Sequence, residues 1–201
     1  MNDHFCNIIT ELFHNGQHSI TVSSQELYQY LKRHYPNFNY YQSIITTSFN
    51  NEVNLSQDFD MYLAPITYNN NEEKLSSIPI SKRAMVEFLC NDNCFPLCKK
   101  NEHYGIVNYC LKNFARESCI FKHECPIDDK FSFYNTKHWP TTINPTDINF
   151  HLDLGYSHFK LAGRGEPFPI LLNRILKYFV KPEFFDDIYF QLLGGDSNYT
   201  K

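Results

Sequence analysis

The chain has 201 residues, of which 42% are hydrophobic and 16% aromatic, with a formal net charge of −4 and a pI near 6.1. That apolar share supports a packed core and excludes a disordered tail protein. The acidic balance excludes attachment to nucleic acid by bulk charge, although a local basic groove is compatible with it.

The N-terminus, Met1-Asn2-Asp3-His4, lacks the basic start of a signal peptide, and Glu11 and His14 break the apolar stretch that follows. No segment approaches the roughly 18 apolar residues of a membrane span. These features predict a soluble, cytoplasmic protein with no membrane partner. The first unit is a helix, ended by a turn at Asn15-Gly16, and then a short strand over His18–Val22. Ser23-Ser24 offers an N-cap to a helix over Glu26–Arg33, where Leu27, Tyr30 and Leu31 recur at helical spacing and Pro36 stops the run. The β-branched residues of Gln42–Thr47 predict a strand. Asp58–Pro65 reads as the next strand. The stretch Asn69-Asn70-Asn71-Glu72-Glu73 reads as a surface turn, with a short helix over Glu72–Leu75. Arg83–Leu89 reads as a strand that delivers the chain into a cysteine-rich run.

That run is the most informative part of the sequence. Of seven cysteines, only Cys6 lies outside Cys90–Cys125; the others are Cys90, Cys94, Cys98, Cys110, Cys119 and Cys125. Thiols so clustered either form disulfides or hold a soft metal or an iron–sulfur cluster. The odd count, the chain length and the absence of a secretory start favour the metal. Further on, Asn144–Leu154 reads as a helix with Asn144 or Thr146 as cap and Gly155 as its stop. Tyr156–Leu161 reads as a strand running into Ala162-Gly163-Arg164-Gly165. Phe168–Val180 reads as an amphipathic helix closed by Lys181-Pro182. Strands alternating with helices predict an α/β domain with a mainly parallel sheet. Such sheets place functional residues beyond the strands' C-terminal ends, where both the cysteine run and Gly163-Arg164-Gly165 fall.

Two of these segments carry a family resemblance. Val86–Asn91 leading into Cys94-x-x-x-Cys98 and then His103-Tyr104 resembles the strand, cysteine pair and His-Tyr of the collagenase-like peptidases. Gly155–Arg164, a glycine before a strand, a lysine within it and a Gly-Arg pair at its end, resembles that family's second signature. Val22-Ser23-Ser24 with Leu27, Tyr30 and Leu31 suits its barrel units, so the likeness spans about residues 15–182. The resemblance implies a (β/α) TIM-like barrel whose cysteines hold a [4Fe–4S] cluster. Despite the peptidase name, several relatives are oxygen-independent hydroxylases acting in ubiquinone synthesis or on RNA. A full barrel usually takes about 250 residues. The expectation here is therefore a single α/β domain forming a partial barrel, with a metal-binding loop at about 90–126 and a partner protein able to complete it. An open doubly wound sheet and a small α+β metal domain are the alternatives.

Cys94 and Cys98 supply two thiolates from one turn stiffened by Pro96, a spacing that matches neither the C-x-x-C of zinc ribbons nor the C-x-x-x-C-x-x-C of radical enzymes. Cys119 and Cys125 are the second pair, with Cys110 in reserve, whereas Cys90 ends a strand and reads as a packed thiol. Zinc competes for the same thiolates, alone or with His103 or His123, as a structural site. Glu87, a carboxylate in mid-strand, either lines the barrel mouth as a base or substrate contact or lies on an edge strand in water. Lys160 and Arg164 offer cations to an anionic group of a small-molecule or RNA substrate, and His103 and Tyr104 offer hydrogen bonds. His158 reads as a satisfied structural histidine. The functions that follow are an iron–sulfur hydroxylase or redox enzyme on a small aromatic acid or RNA base, a non-catalytic metal-stabilised binding module, and, last, a peptidase. No Ser/His/Asp or Cys/His constellation is identifiable and no H-E-x-x-H is present.

Overall fold

The computed structural model describes residues 3–50, 52–55, 58–91, 141–163 and 167–194. Their elements run α1 (His4–Phe13), β1 (Ser19–Val22), α2 (Gln25–His34), β2 (Asn39–Gln42), α3 (Ile44–Asn50), β3 (Met61–Leu63), α4 (Glu72–Ser77), α5 (Ile80–Arg83), β4 (Val86–Leu89), α6 (Ile148–Asp153), β5 (His158–Lys160), α7 (Phe168–Phe179) and α8 (Phe185–Leu192). The strands form one sheet in the order β1-β2-β3-β4-β5, parallel throughout. The order never reverses, so the described sheet has no switch point of the doubly wound kind. It is not closed on itself.

Local signals explain most boundaries. Ser24 caps α2 by accepting a hydrogen bond from the Leu27 amide at 3.3 Å. Gly16 and Gly155 hold φ of +79° and +92°, which lets the chain reverse after α1 and after α6. The strand expected over Gln42–Thr47 is wrong by half an element. The strand is Asn39–Gln42, and Ile44–Asn50 is helical. The Ser43 hydroxyl accepts from the Ile45 amide at 3.3 Å and the Ser43 carbonyl accepts from Thr46 at 3.0 Å, turning the chain before its β-branched residues can extend. Arg83 closes α5 instead of opening β4, donating to the Ile78 carbonyl at 2.9 Å and the Leu154 carbonyl at 2.7 Å.

Register and alternation divide the sheet into two faces. Val22, Tyr40, Tyr62, Val86 and Phe88 share one face, and all are buried. Tyr28 and Leu31 of α2 pack against its β1–β3 half, and Leu75 of α4, Tyr156 and Tyr178 of α7 against its β4–β5 half. Met61, Leu63, Glu87, Leu89, His158 and Lys160 lie on the opposite face. Its centre is apolar and buried at Met61, Leu63 and Leu89, while Glu87 and Lys160 bring charge to it beside β5. No described helix is long and apolar enough to cross a membrane.

Candidate functional site at the ends of β4 and β5

β4 lies between β3 and β5, so Glu87 is not on an edge strand. It sits in register with Leu63 on one side and His158 on the other. The Lys160 ammonium, two residues further along β5, approaches its carboxylate at 3.9 Å. The Glu87 side chain is 21% exposed and that of Lys160 44% exposed, which makes the pair a loose one, reachable from solvent. Of the residues singled out from the sequence for catalysis and substrate binding, these two are described, and the fold brings them together. Because a half-exposed pair contributes little to folding, Glu87→Gln and Lys160→Met are each expected to change the unfolding free energy by less than about 1 kcal/mol. Urea titration checks this, and a larger loss would mean that the pair is structural.

Beyond this pair, backbone and side-chain hydrogen bonds weld the two strand ends. The Cys90 amide donates to the Lys160 carbonyl at 2.9 Å, continuing the ladder one residue past β4. Asn91, nearly buried, then imitates a strand with its side chain. Its Nδ2 donates to the Ala162 carbonyl at 2.7 Å, and its Oδ1 accepts from the Ala162 amide at 2.6 Å. The next residue, Gly163, lies hard against α7, where a Cβ would come within 2.1 Å of Leu171 Cδ1. A Cβ there would displace the end of the Leu171 side chain, so the glycine lets Leu171 pack directly on the backbone where the Gly163-Arg164-Gly165 segment begins.

The return from the cysteine-rich segment is fixed at the same place. The Ile143 amide donates to the Cys90 carbonyl at 2.9 Å, so the described residues on either side of 92–140 meet through a hydrogen bond. Asn69, fully buried, bridges the two limbs. Its Nδ2 donates to the Leu89 carbonyl at 2.8 Å and the Thr141 carbonyl at 2.6 Å. Asn70 Nδ2 adds a bond to the Thr142 carbonyl at 2.8 Å. The Asn69 carbonyl lies 2.8 Å from Nε2 of His151, a histidine 1% exposed whose Nδ1 lies 3.0 Å from the Asp147 carbonyl. The reading of 69–73 as a surface turn is thus wrong for Asn69. Asn71 does act at a surface, capping α4 through the Lys74 amide at 3.0 Å.

Cys90 behaves as the packed thiol expected of it. It is fully buried, and burial pushes its thiol up to about 12, so it stays protonated and is a poor metal ligand. Cys6 is exposed on α1. His158 is exposed on β5, whereas His151 is buried. Cys94, Cys98, Cys110, Cys119, Cys125, His103, Tyr104, His123 and Arg164 lie outside the described residues. Among the described residues no group of three or more His, Cys, Asp or Glu side chains could hold a metal ion. Comparison with protein-family models, curated proteins and solved structures finds no match to this chain. The likeness to the collagenase-like peptidases therefore rests on the two motifs alone.

Sequence reasoning missed Asn69, Asn91 and His151. An Asn two residues past an apolar strand, as Asn91 is, was the available signal. Asn69 had none, since an asparagine run looks the same whether its first member is buried or wet.

Proposed function

We propose that this chain is an incomplete (β/α) barrel of the collagenase-like peptidase kind. In this reading Cys94, Cys98, Cys119 and Cys125 hold a [4Fe–4S] cluster, and the protein is a cytoplasmic hydroxylase or related redox enzyme acting on a small aromatic acid or an RNA base. The observation that carries the reading is the joint between β4 and β5. The cysteine run departs one residue after Asn91, and Asn91 is bound on both sides of its amide to Ala162, two residues before Arg164. The two motifs of the resemblance thus include neighbouring paired strands, β4 with Glu87 and β5 with Lys160. Consecutive strand order with the helical core residues on one sheet face suits a barrel segment.

The donor set suits the group. Five cysteines between Cys94 and Cys125 belong to a segment tied down at both ends, and soft thiolates select iron–sulfur clusters or zinc over hard cations. A cluster held there supplies one-electron chemistry. Lys160 and Arg164 receive an anionic group of the substrate. Glu87, 3.9 Å from Lys160, serves as a base or hydrogen-bond acceptor, and His103 and Tyr104 donate hydrogen bonds.

Anaerobic purification followed by iron, sulfide and zinc analysis and an absorption spectrum tests this reading. The expected result is about four irons per chain with a broad thiolate-to-iron absorption band. Cys94→Ser and Cys98→Ser should each lose the iron. Cys6→Ser and Cys90→Ser should keep it, the latter at a packing cost of about 1 kcal/mol. Stoichiometric zinc without iron would replace the enzyme reading with a metal-stabilised binding module. Iron retained in every single variant would overturn the cluster.

A further inference from the structure

We infer that Asn15 is a modification site, where the chain converts its own side-chain amide to a carboxylate through a cyclic imide with the Gly16 nitrogen. Asn15-Gly16 is the one Asn-Gly pair in the sequence. It lies in the turn between α1 and β1, and Asn15, Gly16 and Gln17 are all exposed. Closing the imide needs an electrophilic Cγ and a nitrogen free to lose its proton and reach it. Opening the ring needs water. The turn supplies the first two and solvent the third.

Two donors polarise the electrophile. Asn15 Oδ1 accepts from the Gln17 amide at 3.1 Å and lies 2.8 Å from His18 Nδ1. A backbone N–H only donates, so the atom facing it is the amide oxygen, and His18 carries a proton on Nδ1. Two donors on one carbonyl oxygen draw charge from Cγ and stabilise the oxyanion that forms as nitrogen attacks. The attacking Gly16 N–H makes no hydrogen bond among the described residues, and neither does Nδ2 of Asn15, the leaving group. Gly16 also has no Cβ to screen its nitrogen. Both flanks of the turn are anchored. His14 Nε2 accepts from the Asn37 amide at 2.9 Å, and the Phe13 ring meets the His18 ring edge-on at 4.8 Å.

The reaction balances without an oxidant or reductant. Hydroxide takes the Gly16 proton, and the nitrogen electron pair bonds to Cγ. The Cγ–Nδ2 bond then breaks, and Nδ2 leaves as ammonia on taking a proton from water, which returns the hydroxide. Water next adds to one of the two ring carbonyl carbons, and the bond from that carbon to the ring nitrogen breaks. Addition at Cγ gives aspartate and sets a carboxylate beside His18. Addition at the main-chain carbonyl gives isoaspartate, which routes the backbone through the side chain and lengthens the link between α1 and β1. The sum is amide plus water to acid plus ammonia.

Incubation of the full chain at mildly alkaline pH in heavy-oxygen water, followed by proteolysis and mass spectrometry, tests the inference. The peptide carrying Asn15 should gain heavy oxygen, part of it as isoaspartate, ahead of every peptide carrying another asparagine. His18→Phe keeps a ring against Phe13 and removes the Nδ1 donor. In the folded state it should convert about fivefold more slowly, the weight of one hydrogen bond. In concentrated urea, where the turn is gone, the two chains should convert at the same rate. Urea titration of each shows that both start folded. An Asn15 that stays intact while other asparagines convert overturns the site. Native conversion of His18→Phe as fast as the wild type, or faster, would mean that the two hydrogen bonds do not activate the amide and overturn their assigned role. A difference that persists in urea would overturn it equally, because the turn would not be its cause.

Discussion

Phe88→Ala is expected to lower the unfolding free energy by about 3–5 kcal/mol, the largest effect of any single substitution considered for this chain. Phe88 is fully buried in the middle of β4, a strand with neighbours on both sides. Its ring meets Tyr156 edge-on at 4.9 Å and His151 at 5.4 Å, and stacks with Phe159 at 6.3 Å. Truncation removes the aromatic transfer energy and leaves a cavity that three other rings line, and short strands have little freedom to close it. Phe88→Leu, which keeps most of the volume, should cost less than half as much. Urea unfolding of the two variants gives both numbers. A loss below about 1 kcal/mol for the alanine would show that this cluster does not form the core of the β4–β5 half.

Asn69→Ala should cost about 3 kcal/mol, although it deletes only a small side chain. The carbonyls of Leu89 and Thr141 both take their hydrogen bonds from one Nδ2, at a position with no solvent exposure. Alanine leaves both without that donor, and a buried acceptor that loses its partner costs about 1–3 kcal/mol. Asn69→Asp should be worse, since it sets carboxylate oxygens against two carbonyl oxygens. The loss should also be local. Amide exchange at Ile143, whose N–H closes the base of the cysteine-rich segment, should accelerate more than exchange at Tyr62, bonded to Met85 in the sheet interior. Equal acceleration at both would mean that Asn69 supports the whole sheet and not this joint.

What the sequence made legible follows from the kind of signal involved. Ser24, Gly155 and the Phe168–Phe179 periodicity act through their nearest neighbours, so they could be read in place, and the βα alternation follows from them. Ile44–Thr47 misled because β propensity is weak against a local turn, and Ser43 supplies one. Glu87 was recognisable as anomalous, but its partner Lys160 lies across a strand pairing that no local pattern encodes. The same holds for Asn69, whose two acceptors are 20 and 72 residues away in sequence. α8 did carry a signal, since Phe185, Ile188, Tyr189 and Leu192 recur at helical spacing, and the sequence reading stopped short of it at Lys181-Pro182. For the thiols, sequence spacing remains the argument, since Cys94–Cys125 lie outside the described residues.

The hydrogen bond between Cys90 and Ile143 has a consequence for how this chain tolerates change. A segment whose entry and exit sit side by side does not transmit its length to the frame around it. Doubling a stretch of flexible chain whose ends are held together adds only about 0.6 kcal/mol of closure entropy. Insertions and deletions between 92 and 140 can therefore accumulate while the strands keep their register. The Asn69, Asn70 and Asn91 amides keep Leu89, Thr141, Thr142 and Ala162 in place at that point, independently of how much chain lies between.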